Sequence, residues 1–434
     1  MISLRMSSKW LIAAILPLAF ASCKKDGSTA PVTTGKTTLT VENVLNSASL
    51  VESGTYQGTG TPALITPGQT VSFRFSASVG QAVTFASMYG WSNDLFFAPA
   101  NPGINLYDAN KNPIEGDVSS QIKLWDNGTR QNQKPGATVN HPGVAENNAI
   151  TEVVGTDNQG NTYLPASQLV KATLKYEGNS YFTLTLQNTS GGTANETPLS
   201  PGVWAVSYIA GGKLLNNTPI FTSGQPTANG LTPLAEMGDN TGLYSYIKAN
   251  TGIFTPLSPI LVVVYNGINN PIYTLGEKDR GEGLKDLAQQ GNATALAATL
   301  RSKPGVKNVY ILAAPNSTVL LPVIGGQAGG NVSQDLSVVK GDRVAIATMY
   351  GFSNDWFFAS ADGVDATQAG DISSTIKLFD NGTAVDQFPG AGNNQFNLGG
   401  ATASQSNVIG EVPNPNPFTT LPSITNIIKV KISN

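Results

Sequence analysis

The chain has one cysteine, Cys23, and one histidine, His141, among its 434 residues. A single cysteine excludes an intramolecular disulfide. A single histidine allows a Ser-His-Asp triad or a His-rich zinc site to be built at most once, and His141 sits in a Pro/Gly/Asn-rich segment where a solvated role is expected. Charge is also scarce: 12% of residues are charged, with 25 Lys and Arg against 28 Asp and Glu and a formal net charge of -3. Lys and Arg are scattered, which argues against a nucleic-acid partner. No Gly-rich phosphate loop followed by a basic residue occurs. These absences favour a protein that is not an enzyme. Paired carboxylates could still serve a secreted hydrolase, but nothing in the pattern singles out a catalytic acid.

Turn formers are abundant, with 46 glycines and 26 prolines, and Thr, Asn and Ser are common. This composition and the many short alternating runs point to an all-β exported protein. The length predicts two or three domains.

Arg5 and Lys9 precede an apolar run from Trp10 to Phe20, followed by Ala21, Ser22 and Cys23. The run is short for a permanent membrane span and reads as a signal peptide over residues 1–22. The arrangement resembles a bacterial lipoprotein signal with Cys23 as the lipidated residue, although Phe20 stands where Leu is usual. Residues 23–36 read as a flexible tether. The expected location is the bacterial cell envelope, anchored by N-terminal lipid, with the outer membrane favoured, or secreted.

One stretch occurs twice. Met88-Tyr-Gly-Trp-Ser-Asn-Asp94-Leu-Phe-Phe-Ala98 returns at Met349 to Ala359, differing only at Trp91/Phe352 and Leu95/Trp356. Gly116-Asp-Val-Ser-Ser-Gln-Ile-Lys-Leu-Trp-Asp126-Asn-Gly-Thr129 returns at Gly370 to Thr383, differing only at Val118/Ile372, Gln121/Thr375 and Trp125/Phe379. Such self-similarity marks an internal duplication. Alternating runs predict half-buried strands at Thr38 to Asn43 and, in near copy, at Thr183 to Asn188. Leu169 to Leu174 is matched by Ile427 to Ile432. These pairs bracket two expected units, 37–178 and 180–434. The second carries an insertion that is itself doubled: Pro198 to Asp239 and Pro256 to Asn292 each read as strand, loop and short helix, and a further helix runs from Ala293 to Arg301.

Ser-Asn-Asp-Leu-Phe-Phe and Leu-Trp-Asp-Asn-Gly-Thr, with Pro-Leu-Ser-Pro-Gly-Val-Trp-Ala-Val and Gly-Leu-x-x-Leu-Ala-Glu-x-Gly, resemble the N-terminal spondin domain family over nearly all of the mature chain. The resemblance implies two antiparallel β-sandwiches similar to C2 domains, the first abbreviated and the second with short helical insertions. It also implies a calcium site where loops meet at one end. Carried over by motif, the ligands are Asp94 and Asp126 in the first copy and Asp355 and Asp380 in the second. The third family position falls on Arg130 and Ala384, neither of which can ligate a cation. Asp386, two residues beyond Ala384, is a replacement carboxylate, with Asn132 as its weaker counterpart.

Residue chemistry leaves alternatives beside calcium. Asp-Asn-Gly is a strong turn signal in its own right, because Asp bonds its own backbone two residues on and Gly accepts positive φ. Arg130 could instead pair with the first-copy aspartates. Phe96, Phe97, Phe357, Phe358, Trp125 and Phe379 read as core, while Trp91 or Trp356 could be exposed. The expected function is a non-catalytic, lipid-anchored surface protein for adhesion or ligand binding, with an extracellular protein or glycan as partner. The alternative is a carbohydrate-binding accessory lipoprotein.

Overall fold

The computed structural model describes residues 35–315 and 318–434. The expected signal peptide, Cys23 and residues 24–34 of the expected tether lie outside them. Gly35 and Lys36, placed in the tether by sequence, already belong to the first strand, β1 (Gly35–Asn43).

The chain then runs through β2 (Leu50–Tyr56), β3 (Thr70–Ser76), β4 (Ala82–Met88), β5 (Leu95–Pro99), β6 (Ile122–Asp126), β7 (Val170–Gly178), β8 (Tyr181–Asn188) and β9 (Gly202–Ser207). Two helices follow, α1 (Leu231–Met237) and α2 (Thr241–Ala249). The rest comprises β10 (Ile260–Tyr265), α3 (Leu284–Gln290), α4 (Thr294–Arg301), β11 (Val306–Leu312), β12 (Asn331–Val338), β13 (Arg343–Met349), β14 (Trp356–Ser360), β15 (Ile376–Asp380) and β16 (Ile428–Ser433). Very short strands complete the sheet edges. The protein is mostly β, built from antiparallel sheets with few helices. Among the described residues no helix is long and apolar enough to cross a membrane.

Two units of like construction emerge. In the first, β3-β8-β7 and β2-β9-β4-β5-β6 form facing sheets. Phe73, Phe75, Phe97, Leu124, Phe182 and Leu184 meet between them in one core. In the second, β12-β1-β16 faces β11-β10-β13-β14-β15, with Val41, Val262, Phe358 and Val430 between them. Helices cover the outer face of each larger sheet, which explains its sequence. Successive side chains of a strand point to opposite faces. Phe97 therefore enters the core between sheets while Phe96 packs under α1 and α2 with Leu234 and Ile247. Phe358 and Phe357 divide in the same way, the latter joining Leu287 and Leu296. By contrast β8 alternates buried and half-buried positions along its whole length, because only one face is covered.

The pairing departs from the bounds 37–178 and 180–434. Strand β1 pairs with β12 and β16, so Thr38 to Asn43 belongs to the second unit. Its near copy in β8 pairs with β7 and β3 in the first. Proximity explains the exchange: only Asn179 and Ser180 separate β7 from β8, both at positive φ (50° and 66°), the geometry of a tight hairpin. Closing that short loop costs little. The place beside β16 is then left for β1. The insertion of the second unit is also not its own: the copy at Pro198 to Asp239 supplies β9 and α1 to the first unit.

The first unit, residues 50–249, is thus inserted into the second. The entering and leaving chains run side by side: Ala48 N donates to Ile253 O (2.9 Å), Leu50 N to Asn250 O (3.0 Å) and Gly252 N to Leu50 O (3.1 Å). Val51 and Tyr208 of the first unit share a small apolar cluster with Phe254, Phe352, Phe388 and Ala391 of the second.

Candidate metal centre

The second copy of the repeat assembles its acids through strand register and a turn. Asp355 immediately precedes β14 and Asp380 ends β15. The two strands are antiparallel with Trp356 opposite Asp380, so both acids lie at one end of the sheet. Ser353 fixes the entry, its Oγ accepting from Trp356 N at 3.1 Å and donating to Tyr350 O at 2.7 Å. Asp380 Oδ1 accepts from Gly382 N at 2.7 Å, the Asx turn expected of Asp-Asn-Gly. Gly382 has φ 69°, and a Cβ there would stand 2.7 Å from Asn407 O, so only glycine fits.

That turn aims three donors at one oxygen. Asp355 Oδ2 accepts from Thr383 N (2.6 Å), Thr383 Oγ1 (2.9 Å) and Ala384 N (2.9 Å). Asp355 is fully buried, yet its Oδ1 has no hydrogen-bond partner. Asp355, Asp380 and the half-buried Asp386 each bring a carboxylate oxygen within 4.8 Å of the others.

Three acids this close oppose one another's ionisation. Burial first, and then the charge of Asp380, pushes Asp355 up to about 7 despite its three donors. Asp386 is likewise pushed up to about 7, by burial and then by Asp380 and Asp355. Burial also raises Asp380. The arrangement is short of positive charge and offers hard oxygen atoms. A divalent cation such as calcium, which takes six to eight oxygens from carboxylates, carbonyls and water, fits this donor set. Asp355, Asp380 and Asp386 would hold it.

The first copy repeats the frame with one decisive change. Asp94 Oδ2 accepts from Thr129 N (2.7 Å), Thr129 Oγ1 (3.0 Å) and Arg130 N (2.9 Å), and Asp126 Oδ1 from Gly128 N (2.7 Å). In place of a third acid, the buried Asn132 donates its amide to Asp126 Oδ2 at 2.6 Å. An amide donor does there some of what a cation would do. Asp94 Oδ1 is still unpartnered, and burial followed by the Asp126 charge lifts Asp94 to about 7.

The alternative pairing of Arg130 with these aspartates is not what forms. Its guanidinium turns to the buried Glu236, with Nη2 at 3.0 Å from Oε2, and only its main-chain N–H reaches Asp94. Ala384 acts in the same way toward Asp355. The third motif position therefore serves through its backbone, which leaves its side chain free to differ.

Sequence reasoning assigned no role to Glu236, Gln289 or the threonines after Asp-Asn-Gly. Gln289 Nε2 donates to Thr383 Oγ1 at 3.0 Å, in the second unit, while Glu236 holds Arg130 in the first. The signal was present, since both stand at one position of the repeated Gly-Leu-x-x-Leu-Ala motif. The aromatic residues expected in the core are buried there, and Trp356 joins them. Trp91 is half-buried and lines a cavity of about 380 Å³ with the exposed His141 and Met237.

No family model matches the chain, and no curated protein matches its sequence. The likeness to spondin domains thus rests on the motifs alone.

Proposed function

We propose that this chain is a non-catalytic, exported, lipid-anchored surface protein. In this reading, each pair of facing sheets is a C2-like sandwich of the spondin type, and one calcium ion fixes the loop end of the second. The observation that carries the reading is the meeting of three carboxylates, Asp355, Asp380 and Asp386, around the fully buried, unpartnered Oδ1 of Asp355; the first copy has the same orphan on Asp94 and lacks the third acid. A buried charged oxygen without a partner is costly, and a bound cation removes that cost. When bound, calcium supplies charge and coordination, and the chain's own turns supply the shape. The partner best suited to such a surface is an extracellular protein. Three of the four tryptophans among the described residues are buried, so they form no broad aromatic platform for a glycan. Thermal unfolding of the full chain tests the proposal. Calcium raises the midpoint over a chelator control, and Asp355→Ala or Asp380→Ala abolishes the difference. Equal midpoints for the wild-type chain in calcium and in chelator would refute the site.

A further inference from the structure

We infer that cation occupancy at Asp355, Asp380 and Asp386 locks the second unit onto the first, an inference that rests on the calcium reading above. The candidate ligands are continuous with the segments that dock. Gln387, the residue after Asp386, is buried and reaches across to the first unit: its Nε2 donates to Asn179 Oδ1 at 2.9 Å and Ser180 Oγ at 3.3 Å. Its main-chain N–H donates to Asn354 Oδ1 at 2.9 Å, tying it to the residue before Asp355. The same loop continues the contact. Asn393 N donates to Ser180 Oγ (2.9 Å), Asn393 Oδ1 accepts from Val79 N (2.7 Å), and Gly390 O accepts from Gln81 Nε2 (3.1 Å).

The other ligand segment is tied to the same interface and carries strain. Phe352, three residues before Asp355, packs with Val51 and Tyr208 of the first unit, and its carbonyl accepts from Gly390 N at 2.8 Å. Its φ is 65°, an outlier for a bulky residue that the surrounding structure must hold in place. Trp91, its equivalent in the first unit, does not share it. Lys134 is exposed where Phe388 is buried. Third carboxylate, strained entry and buried docking loop therefore occur together in the unit that docks. Without a cation the three carboxylates repel, and the movement open to Asp386 draws Gln387 away from Asn179. Docking and binding then favour each other reciprocally.

Two measurements on the full chain separate the links. Calcium titration reads the site. Amide hydrogen exchange with and without calcium reads the coupling at Val79 N–H, which lies in the first unit and is bonded to Asn393. The expected result is exchange slowed about fivefold or more by calcium. Asn179→Gly, which suits the positive φ of that turn while removing the acceptor for Gln387, weakens calcium binding severalfold. Gln387→Ala does the same from the other side. Calcium binding with Val79 exchange and the affinity of both variants unchanged would overturn the coupling and leave the site standing. Absence of calcium binding would overturn both.

Discussion

Asn132 and Asp386 hold equivalent places beside the last aspartate of the repeated strand and act in opposite senses. Asn132 donates to Asp126 at 2.6 Å, whereas Asp386 adds a third carboxylate within 4.8 Å of Asp355 and Asp380. One atom pair, amide nitrogen for carboxylate oxygen, separates a loop end whose last aspartate is met by a donor from one that gathers a third acid, while Asp94 Oδ1 and Asp355 Oδ1 stay unpartnered in both.

Asp386→Asn is expected to convert the second loop end to the first kind. Removing one of three mutually repelling charges raises the unfolding midpoint in chelator. It also removes most of the gain from calcium, which for an intact site reaches about 2.7 kcal/mol at a calcium concentration 100 times Kd. Calorimetry in calcium and in chelator reads both effects.

The reverse exchange, Asn132→Asp, is expected to destabilise the chelated protein by roughly 1–3 kcal/mol, the cost of losing a buried hydrogen bond and gaining a like charge. Equilibrium dialysis then finds one more calcium per chain than in the wild type.

Stability should fall with rising pH when calcium is absent. Asp355, Asp386 and Asp94 are each raised to about 7, chiefly by burial, while an unfolded aspartate titrates near ~3.9. Between those values the folded chain binds more protons than the unfolded chain, so the unfolding midpoint drops from about pH 4 to about pH 7 and then levels. Calcium needs the deprotonated acids, so its stabilising effect is larger at pH 8 than at pH 5. Glu52, accepting from Ser76 N and also raised to about 7 by burial, contributes a part of the decline that calcium leaves unchanged. Melting curves across this range with and without calcium separate the two parts.

Glu236→Ala should destabilise the first unit, because it strands the Arg130 guanidinium that pairs with it. Arg130→Ala, which leaves the buried Glu236 unpaired, costs a similar amount. Neither variant alters calcium binding, since Arg130 meets Asp94 only through its backbone. Denaturant titration of the two single variants and the double variant measures the coupling.

Much of this was legible in the residues. The alternation of Thr183 to Asn188, the burial of the Phe-Phe pairs and the position of Asp386 two residues past Ala384 all follow from periodicity, composition and spacing. The exchange of β1 and β8 was not, because their near-identical alternation specifies which face is buried and says nothing of the partner strand. The hairpin turn at Asn179 and Ser180 chose that partner. Reading Arg130 and Ala384 by their side chains missed the backbone N–H groups through which they act. Glu236 and Gln289 stood in a visible repeat, but their meeting with Arg130 and Thr383 depends on how α1 and α3 pack on the sheets, which no local pattern shows.

A single cation held by Asp355, Asp380 and Asp386 underlies the proposed function and its coupling to docking. Isothermal titration of the full chain with calcium at pH 8 tests it most directly. One ion per chain is expected, lost in Asp355→Ala and kept in Asp94→Ala. Either no binding, or binding that survives Asp355→Ala, would contradict it.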